Sequence, residues 1–342
     1  MTYQKGPITL KTIATILGLT PATISKALRD STDISEKTRA LVKETAEKLG
    51  YHPNIMAKSL IENKSYILGV IVPDLSHSFF TDVARGIYEG ARESSYETFI
   101  MVHDEDAQIE RKNLRFLSAL NVDGILIAAV PGTLNNNLIS RINERGIPFV
   151  CFDRIIDGLD FCAVTIDDEK AATQLVDYFV KRGRRDIVFI GPTIELFVAK
   201  GRYDGYRKGL EKYGIEFRED YVIECSITHE DAQEKMQHFI DSERTFNAVM
   251  CVSGVNAFGT GKAILSSGLE IPNDVLLAEF GNNHIVHRLG VPFVTVEQYP
   301  YEMGQTAVNT LVDMIDNKKV CHDHVFLETQ LIFHHSNGRD DH

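Results

Sequence analysis

The sequence predicts a two-part α/β protein, in which a small all-α domain precedes a larger body of doubly wound parallel β-sheets. The first observation is a set of short helical patterns within the first 50 residues. The second is an alternation of β-branched apolar runs with amphipathic segments from residue 66 onward. The third is the length of 342 residues, which suits two or three cores at roughly 100–200 residues each.

The charge is divided unevenly along the chain. Residues 1–64 hold ten Lys and Arg residues against six Asp and Glu residues, a net charge of +4, whereas residues 65–342 carry −16. A basic head favours nucleic-acid binding because Lys and Arg neutralise phosphates, and an acidic body keeps the rest of the protein off the duplex. No apolar run approaches the ~18 residues of a membrane span, and no secretory signal precedes the first helix, so we expect a cytoplasmic protein.

The remaining motif searches argue against catalysis and metal binding. The sequence has no P-loop, GxSxG or GxGxxG motif, so we predict neither an enzyme nor a cofactor site. The polar run 321–324 is interpreted as a loop rather than a metal site, because adjacent side chains alternate in direction. The cysteines are odd in number, lack a CxxC pair and are predicted to be mostly reduced core thiols. They are Cys151, Cys162, Cys225, Cys251 and Cys321.

Two short helices joined by a tight turn are predicted near the N-terminus. Thr9 precedes a helical pattern that ends at Gly18, and Thr20 and Pro21 begin a second pattern that runs to Leu28. This is the helix-turn-helix arrangement, whose second helix presents its N-terminal residues to base edges in the major groove. The exposed candidates on that helix are Pro21, Ala22 and Lys26.

A third helix is predicted from Ser35 to Leu49, with Gly50 as its stop. Its apolar spacing suggests an inward face that closes a small three-helix core. The residues expected on that face are Ala40, Leu41, Ala46 and Leu49.

The head and the segment after it closely resemble the DNA-binding head and hinge of LacI/GalR regulators, in the runs ITLKTIATILGLTPATISKAL and GYHPNIMAKSL. The resemblance implies that Pro21, Ala22 and Lys26 read the major groove. It implies backbone contacts from Thr20, Thr23, Ser25, Tyr51 and Asn54. It also implies a hinge helix over 54–61 in the minor groove, with Ala57 and Lys58 near base edges and Leu60 as an apolar wedge that kinks the duplex.

Each of these contacts has a structural alternative. Lys26 would otherwise lie on a solvated helix face, and Leu60 would otherwise pack in a core; the spacing of the whole segment favours DNA contact for both. Pro21 and Ala22 cannot donate a side-chain hydrogen bond, so they offer only apolar contact, for instance to a thymine methyl group.

Seven apolar runs of the body are predicted as strands, at 67–73, 98–102, 123–128, 147–153, 186–191, 248–252 and 275–280. They suit two doubly wound lobes with a ligand crevice at the carboxyl ends of the strands. The body resembles the periplasmic-binding-protein fold of the same family.

By this resemblance the chain divides into a DNA-binding domain at 1–50, a hinge and linker at 51–65, and an effector-binding and dimerisation core at 66–342. Three crossings between the lobes are implied, near 165–167, 296–298 and 324–326. Lobe one is then about 66–165 plus 299–324, and lobe two about 167–296 plus 326–342.

The resemblance also implies an effector pocket in the crevice. The matching residues are Ser76, His77, Phe79, Phe80, Asp153 and Arg202. Asp153 and Arg202 suit sugar hydroxyls or anionic groups, with Arg bonding in a bidentate manner, although either residue could instead form a structural ion pair. Two positions depart from the family, which usually carries Asp where this chain has Gly254 and Gly281.

Loss of these two acceptors predicts weak binding of neutral monosaccharides, while Arg202 keeps uronates and sugar phosphates as candidate effectors. Three alternatives stay open: an altered ligand in the same cleft, control by a protein partner, and no effector at all. A soluble ligand carrier is the alternative from another class, and the helix-turn-helix argues against it.

The partners implied are a palindromic double-stranded DNA operator and a second copy of the chain, as in a repressor of metabolic genes. In the family dimer the first helix of each lobe is buried against its mate, here at 80–92 with Val83, Ile87 and Tyr88.

Overall fold

The computed structural model describes residues 8–51, 64–76, 78–156, 158–192, 197–281, 284–317, 323–335 and 340–341. They fall into two compact units, one within Met1–Ser65 and one within Tyr66–His342. Among these residues no helix is long and apolar enough to cross a bilayer.

The first unit contains the three predicted helices, α1 (Leu10–Leu17), α2 (Pro21–Leu28) and α3 (Glu36–Lys48). Each begins at a hydroxyl side chain that accepts a hydrogen bond from the backbone N–H three residues later, at Thr9, Thr20 and Ser35. This satisfies one of the donors that a helix leaves unpaired at its start.

One residue from each helix forms the centre of the head's core, namely Ile13, Ile24 and Val42, which are all fully buried. The predicted inward face of α3 was partly wrong, because Ala40 and Leu41 are exposed. The buried residues Val42 and Ala46 are four apart and share one face of the helix, whereas Leu41 lies one residue, or about 100°, away from that face.

The second unit contains two sheets. The first has the strand order β11-β5-β4-β3-β1-β2, with every neighbouring pair parallel. Its strands are β1 (Ile67–Val72), β2 (Glu97–Val102), β3 (Gly124–Ile127), β4 (Phe149–Phe152), β5 (Cys162–Ile166) and β11 (His324–Leu327).

The second sheet has the order β13-β12-β10-β9-β8-β6-β7, and only β12 and β13 run antiparallel to their neighbours. Its strands are β6 (Ile187–Gly191), β7 (Val222–Glu224), β8 (Ala248–Cys251), β9 (Leu276–Phe280), β10 (Phe293–Glu297), β12 (Gln330–His334) and β13 (Asp340–Asp341).

Helices follow most of the parallel strands and pack on the sheet faces. They are α4 (Ser78–Glu93), α5 (Ala107–Ala119), α6 (Asn136–Glu144), α7 (Asp168–Lys181), α8 (Phe197–Lys212), α9 (His229–Asp241), α10 (Gly254–Ser266) and α11 (Pro300–Asn317), with short 3₁₀ turns at Glu219–Tyr221 and Val286–Leu289. The two-lobed α/β body predicted from the sequence is confirmed.

The chain passes between the sheets three times. It leaves the first sheet after β5 and the second after β10, as expected. The third passage was placed too early at 324–326, because β11 pairs with β5 as far as Leu327. The passage therefore lies at 328–329, between β11 and β12.

The cysteine prediction holds in part. Cys151, Cys225 and Cys251 are buried free thiols. Burial raises the pKa of the first two to about 12, so they behave as apolar core groups. Cys162 departs from the prediction because it is in a disulfide, whose partner lies outside the described residues.

Helices α4 and α11 approach so closely that two glycines are needed at the contact. A Cβ atom on Gly86 would lie 2.1 Å from the Tyr301 carbonyl oxygen, and one on Gly304 would lie 2.2 Å from the Val83 carbonyl oxygen. Val83 and Ile87 are completely buried in the same contact. The face of α4 implied for dimerisation therefore packs largely against the chain's own α11.

We expect Gly86→Ala to lower the free energy of unfolding by about 1–3 kcal/mol, because the added methyl group pushes the backbones of α4 and α11 apart. Gly90→Ala is the matched control on the same helix, since its Cβ would meet Val308 at an ordinary 3.6 Å. It should be neutral or stabilise by up to about 1 kcal/mol through helix propensity. Urea unfolding of the two variants gives the comparison, and equal stabilities would contradict the close contact.

Candidate functional site

Helix α2 divides its side chains between a core face and an exposed face. Ile24 and Ala27 are fully buried, whereas Pro21, Ala22 and Lys26 are exposed. The three residues predicted to read bases therefore lie together on an accessible surface of the head. The helix begins with Pro21, whose fixed φ suits that position.

The residues predicted to contact the DNA backbone surround this face. The Thr20 hydroxyl accepts from the Thr23 backbone N–H at 3.1 Å, and the Ser25 hydroxyl accepts from an Arg29 guanidinium nitrogen at 3.0 Å. Tyr51 is half-buried, and desolvation raises its pKa. Asn54, Ala57, Lys58 and Leu60 lie outside the described residues.

Lys26 is held by an acidic residue from the loop after α2. Its Nζ lies 2.5 Å from Asp33 Oδ2, while Ser31 Oγ donates to Asp33 Oδ1, also at 2.5 Å. The hydrogen bond from Lys26 is the main cause that lowers the pKa of Asp33. Both side chains of the pair are 51% exposed, so water and a competing anion reach it.

A cavity of about 270 Å³ lies at the carboxyl ends of the strands of the second unit. Residues from both sheets line it, as expected for a crevice outside parallel strands. The lining follows the strands closely, with Glu105 after β2, Asp153 after β4 and Gln298 after β10. Apolar residues, including Phe79, Phe80 and Phe280, make up much of the wall.

The cavity brings together most of the residues predicted for the effector pocket. Those that line it are Phe79, Phe80, Asp153, Arg202, Gly254 and Gly281. Ser76 is not among the lining residues; its amide and hydroxyl both donate to Asp74 Oδ1 at 2.8 Å. His77 lies outside the described residues.

Arg202 is only 5% exposed, and all three of its guanidinium nitrogens are hydrogen bonded within the protein. Nε donates to Asp168 at 2.7 Å, Nη1 to the Val252 carbonyl at 2.5 Å and Nη2 to Gln298 at 2.9 Å. The guanidinium also lies over the Phe280 ring at 4.2 Å. Arg202 thus forms an ion pair with Asp168, which is the structural alternative considered for it from the sequence.

Arg154 is a second buried arginine of the cavity, 6% exposed. Its two terminal nitrogens bond both carboxylate oxygens of Glu105, at 2.8 and 2.9 Å. This is the bidentate geometry in which guanidinium and carboxylate pair most strongly. The remaining nitrogen, Nε, has no hydrogen-bond partner among the described residues.

Asp153 has a different environment from the other carboxylates of the cavity. It is 8% exposed and adopts a left-handed backbone conformation with φ +59°. Its nearest charged group is Arg154 Nε at 3.6 Å, beyond hydrogen-bond range, and no described residue donates to its carboxylate. Burial raises the pKa of Asp153 to about 6, although Arg154 and Arg202 oppose the shift.

The two glycines that depart from the family pattern both line the cavity. Gly281 has φ +95°, and a Cβ atom there would lie 2.9 Å from Gln298 Nε2. An aspartate at this position would therefore be strained and would collide with the side chain that orients Arg202. Gly254 is the first residue of α10, after Ser253, whose hydroxyl caps the helix.

Sequence reasoning missed Glu105, Arg154, Asp168 and Gln298. Each stands within three residues of the end of a strand, as Asp153 does, so this position is a signal that could have found them. The sequence does not show which of these side chains form ion pairs, since Asp168 and Arg202 come from different helices and meet only in the folded chain.

Comparison with known proteins supplies the family. Residues 65–334 match the family of periplasmic binding proteins and sugar binding domain of LacI family, and residues 9–54 match the bacterial regulatory proteins of the lacI family. The HTH-type transcriptional regulator RegA of Clostridium saccharobutylicum is 30% identical over 325 residues, which cover 94% of this chain and 97% of RegA.

Two solved structures extend the comparison. The lac repressor dimer bound to operator and the anti-inducer ONPF is 20% identical with a TM-score of 0.85, over 95% of this chain and 98% of that chain. The Cra transcriptional dual regulator from Pseudomonas putida in complex with fructose 1-phosphate is 25% identical with a TM-score of 0.68, over 78% and 97%. This chain therefore belongs to the LacI family and is a DNA-binding transcriptional regulator, not an enzyme.

Proposed function

We propose that the chain is a repressor that binds a palindromic operator as a homodimer in the cytoplasm and responds to a small molecule in the cleft of its body. The observation that carries the proposal is the exposed face of α2, with Pro21 and Ala22 in its first turn and Lys26 in its last, on a head whose net charge is opposite to that of the body. A single such helix reads few bases, so two heads on symmetric half-sites supply the specificity.

The contacts proposed in the major groove are those of α2, with Thr20, Thr23, Ser25 and Tyr51 on the phosphates. Lys26 is the one base-reading side chain of the three that carries a hydrogen-bond donor, which suits guanine O6 and N7. The minor-groove contacts of Asn54, Ala57, Lys58 and Leu60 remain part of the proposal through the family resemblance.

A second copy has an apolar surface to bind on the first sheet. Strand β2 is the edge strand of that sheet, and its Phe99 and Ile100 are exposed. Phe116 of α5 packs edge-on against Phe99 with ring centroids 6.4 Å apart. Tyr88 extends the apolar area on α4. Exposed apolar edge strands usually become covered by another chain, and the lac repressor structure is a dimer.

An effector in the cleft is supported by the cavity and by relatives solved with small molecules. The geometry disfavours the uronates and sugar phosphates expected from the sequence, because the nitrogens of Arg202 already have protein partners. If no small molecule alters DNA binding, we would conclude that the chain is controlled by a protein partner or has no effector. A carrier role is disfavoured by the DNA-binding head.

The proposal is tested by selecting genomic fragments bound to the purified full chain and measuring affinity for the enriched sequence by fluorescence anisotropy. We expect a palindromic site whose logarithmic affinity falls linearly with the logarithm of the salt concentration, with a slope of about −0.9 per neutralised phosphate. A flat salt response, or enrichment without two-fold symmetry, would reject the proposed mode of binding.

Lys26→Ala should weaken operator binding by about 1–3 kcal/mol and affect random DNA much less, because a base contact is lost. Asp33→Asn should strengthen binding to both DNAs, since it frees Lys26 and removes a negative charge near the phosphates. Glu44→Gln is the matched control, because Glu44 pairs with Lys48 on α3, away from the recognition helix. Equal losses on operator and random DNA for Lys26→Ala would reassign Lys26 to the DNA backbone.

Phe99→Glu should convert a dimer to a monomer, because a charge buried at the edge of β2 is costly to desolvate. Phe326→Glu is the control, since Phe326 is 53% exposed on β11, at the opposite edge of the same sheet. Sedimentation velocity at micromolar concentration distinguishes the two. A monomeric wild-type chain, or a Phe99→Glu variant that stays dimeric, would contradict this interface.

A further inference from the structure

We infer that the cleft takes a small cationic ligand, which places an ammonium or similar group against Asp153 and an apolar body against the aromatic wall. The inference rests on the proposed role of the cleft as an effector site and specifies the chemistry of the effector.

The first argument is the balance of charges around the cavity. Three carboxylates line it, those of Asp74, Glu105 and Asp153, against the two guanidinium groups of Arg154 and Arg202. No lysine is among the described residues that line it. Asp168, buried behind Arg202, adds a fourth carboxylate. The cleft therefore has an excess of negative charge, which favours a positive ligand.

The second argument is that both arginines are already paired with carboxylates, and of their guanidinium nitrogens only Arg154 Nε lacks a hydrogen-bond partner among the described residues. Glu105 occupies both terminal nitrogens of Arg154, and Asp168, Val252 and Gln298 occupy the three nitrogens of Arg202. To bond the terminal nitrogens of Arg154, an anionic ligand would have to displace Glu105, whose side chain is 46% exposed. To bond those of Arg202, it would have to leave Asp168, which is 5% exposed, buried without its partner. Leaving one member of a buried ion pair alone is strongly unfavourable.

The third argument is the carboxylate of Asp153, whose side chain is 10% exposed and whose charged partner among the described residues, Arg154 Nε, lies at 3.6 Å, beyond hydrogen-bond range. A buried carboxylate without a donor is unfavourable, and a ligand that donates to it relieves that cost. A cation relieves it best, because it compensates the charge as well as the hydrogen bonds. The ionised carboxylate of Asp153 therefore favours a positively charged group on the ligand.

The rest of the wall suits a compact apolar body. Phe79 and Phe80 stand edge to face with ring centroids 5.1 Å apart, and Phe280, Ile227 and Val252 complete the apolar part. The volume of about 270 Å³ is at the lower limit of ordinary ligand pockets. A ligand of the size of one ring with a short amine side chain fits this description.

Calorimetry on the full chain with two matched sets of probes tests the inference: benzylamine, benzyl alcohol and benzoate, and glucosamine, glucose and glucuronate. Within a set the body is nearly constant and the charge changes. At about pH 7 Asp153 is mostly ionised, and we expect the amine of at least one set to bind about ten-fold or more tightly than its neutral and acidic counterparts.

Two variants link the preference to specific residues. Asp153→Asn should remove the preference for the amine, and asparagine tolerates the left-handed backbone at this position. Glu105→Gln should raise the affinity for benzoate or glucuronate, because it frees Arg154. Operator binding and thermal unfolding of each variant verify that it is folded.

The pH dependence gives a second readout. The groups that act on Asp153 are Arg154 and Arg202, which favour its ionised form, and Asp168 and Glu105, which disfavour it. Because the raised pKa is about 6, the carboxylate is present above that pH and lost below it. Amine affinity should therefore fall about ten-fold per pH unit below the pKa, and Asp153→Asn should flatten the profile.

Tighter binding of the alcohol or acid in both sets would overturn the inference while leaving an effector site in the cleft. Failure of all six probes to bind would overturn it as well. Operator selection and sedimentation do not involve the cleft, so failure of the proposed DNA-binding function would be recognised independently of these results.

Discussion

The compensation of buried charge is the constraint on which the cleft depends. A guanidinium group stays protonated in proteins, so Arg154 and Arg202 must be neutralised where they are buried. Each arginine has a carboxylate partner. Arg154 pairs with Glu105, which follows β2, and Arg202 pairs with Asp168 at the start of α7. Removing one partner of the buried Arg202–Asp168 pair costs about 3–5 kcal/mol, a large part of the stability of a typical domain. The Arg154–Glu105 pair is less costly to break, because Glu105 is 46% exposed. The arginines therefore act first as structural members of the cleft walls, and the ligand proposed above would use the carboxylate of Asp153, which has Arg154 Nε at 3.6 Å but no hydrogen-bond donor among the described residues.

The sequence predicted most of the fold because buried parallel strands are nearly continuous apolar runs. All seven predicted runs became strands, but the described residues contain thirteen, and β5, β7, β10, β11, β12 and β13 were missed. Strand β10 gives the clearest physical reason. Its sequence FVTVE contains Thr295 and Glu297, which are buried all the same. Thr295 donates to Oε1 of Glu279 on the neighbouring strand at 2.5 Å, so part of the polar surface is hydrogen bonded in the interior, while Glu279 Oε2 has no partner among the described residues. Such a pair is created by strand register, which a search for apolar runs does not include. Strand β7 was missed for a simpler reason, since three residues carry too little pattern.

The functional surfaces were predicted unevenly for a related reason. Family resemblance identified Asp153, which directly follows a strand, and helix-turn-helix spacing identified the exposed residues of α2, because both depend on local order along the chain. Of the dimer face expected on α4, Tyr88 is exposed, whereas Val83 and Ile87 are buried because α11 approaches closely. That approach is permitted by Gly86 and Gly304, which are distant in sequence. Apolar periodicity shows that a helix face is buried, but not whether the same chain or a second copy covers it.

The head and the cleft both carry a basic side chain that an acidic side chain already holds, and the difference in burial gives the two pairs opposite roles. Around Lys26 and Asp33 water screens the attraction, so a phosphate or a base edge can replace Asp33 with little loss. Around Arg202 and Asp168 the surroundings are apolar, so the attraction is stronger and no external anion compensates for separating the pair. The exposed lysine is consequently free to exchange partners and serve recognition. The buried arginine is fixed, and in the proposed effector site selectivity would depend on Asp153, whose carboxylate accepts no hydrogen bond from the described residues.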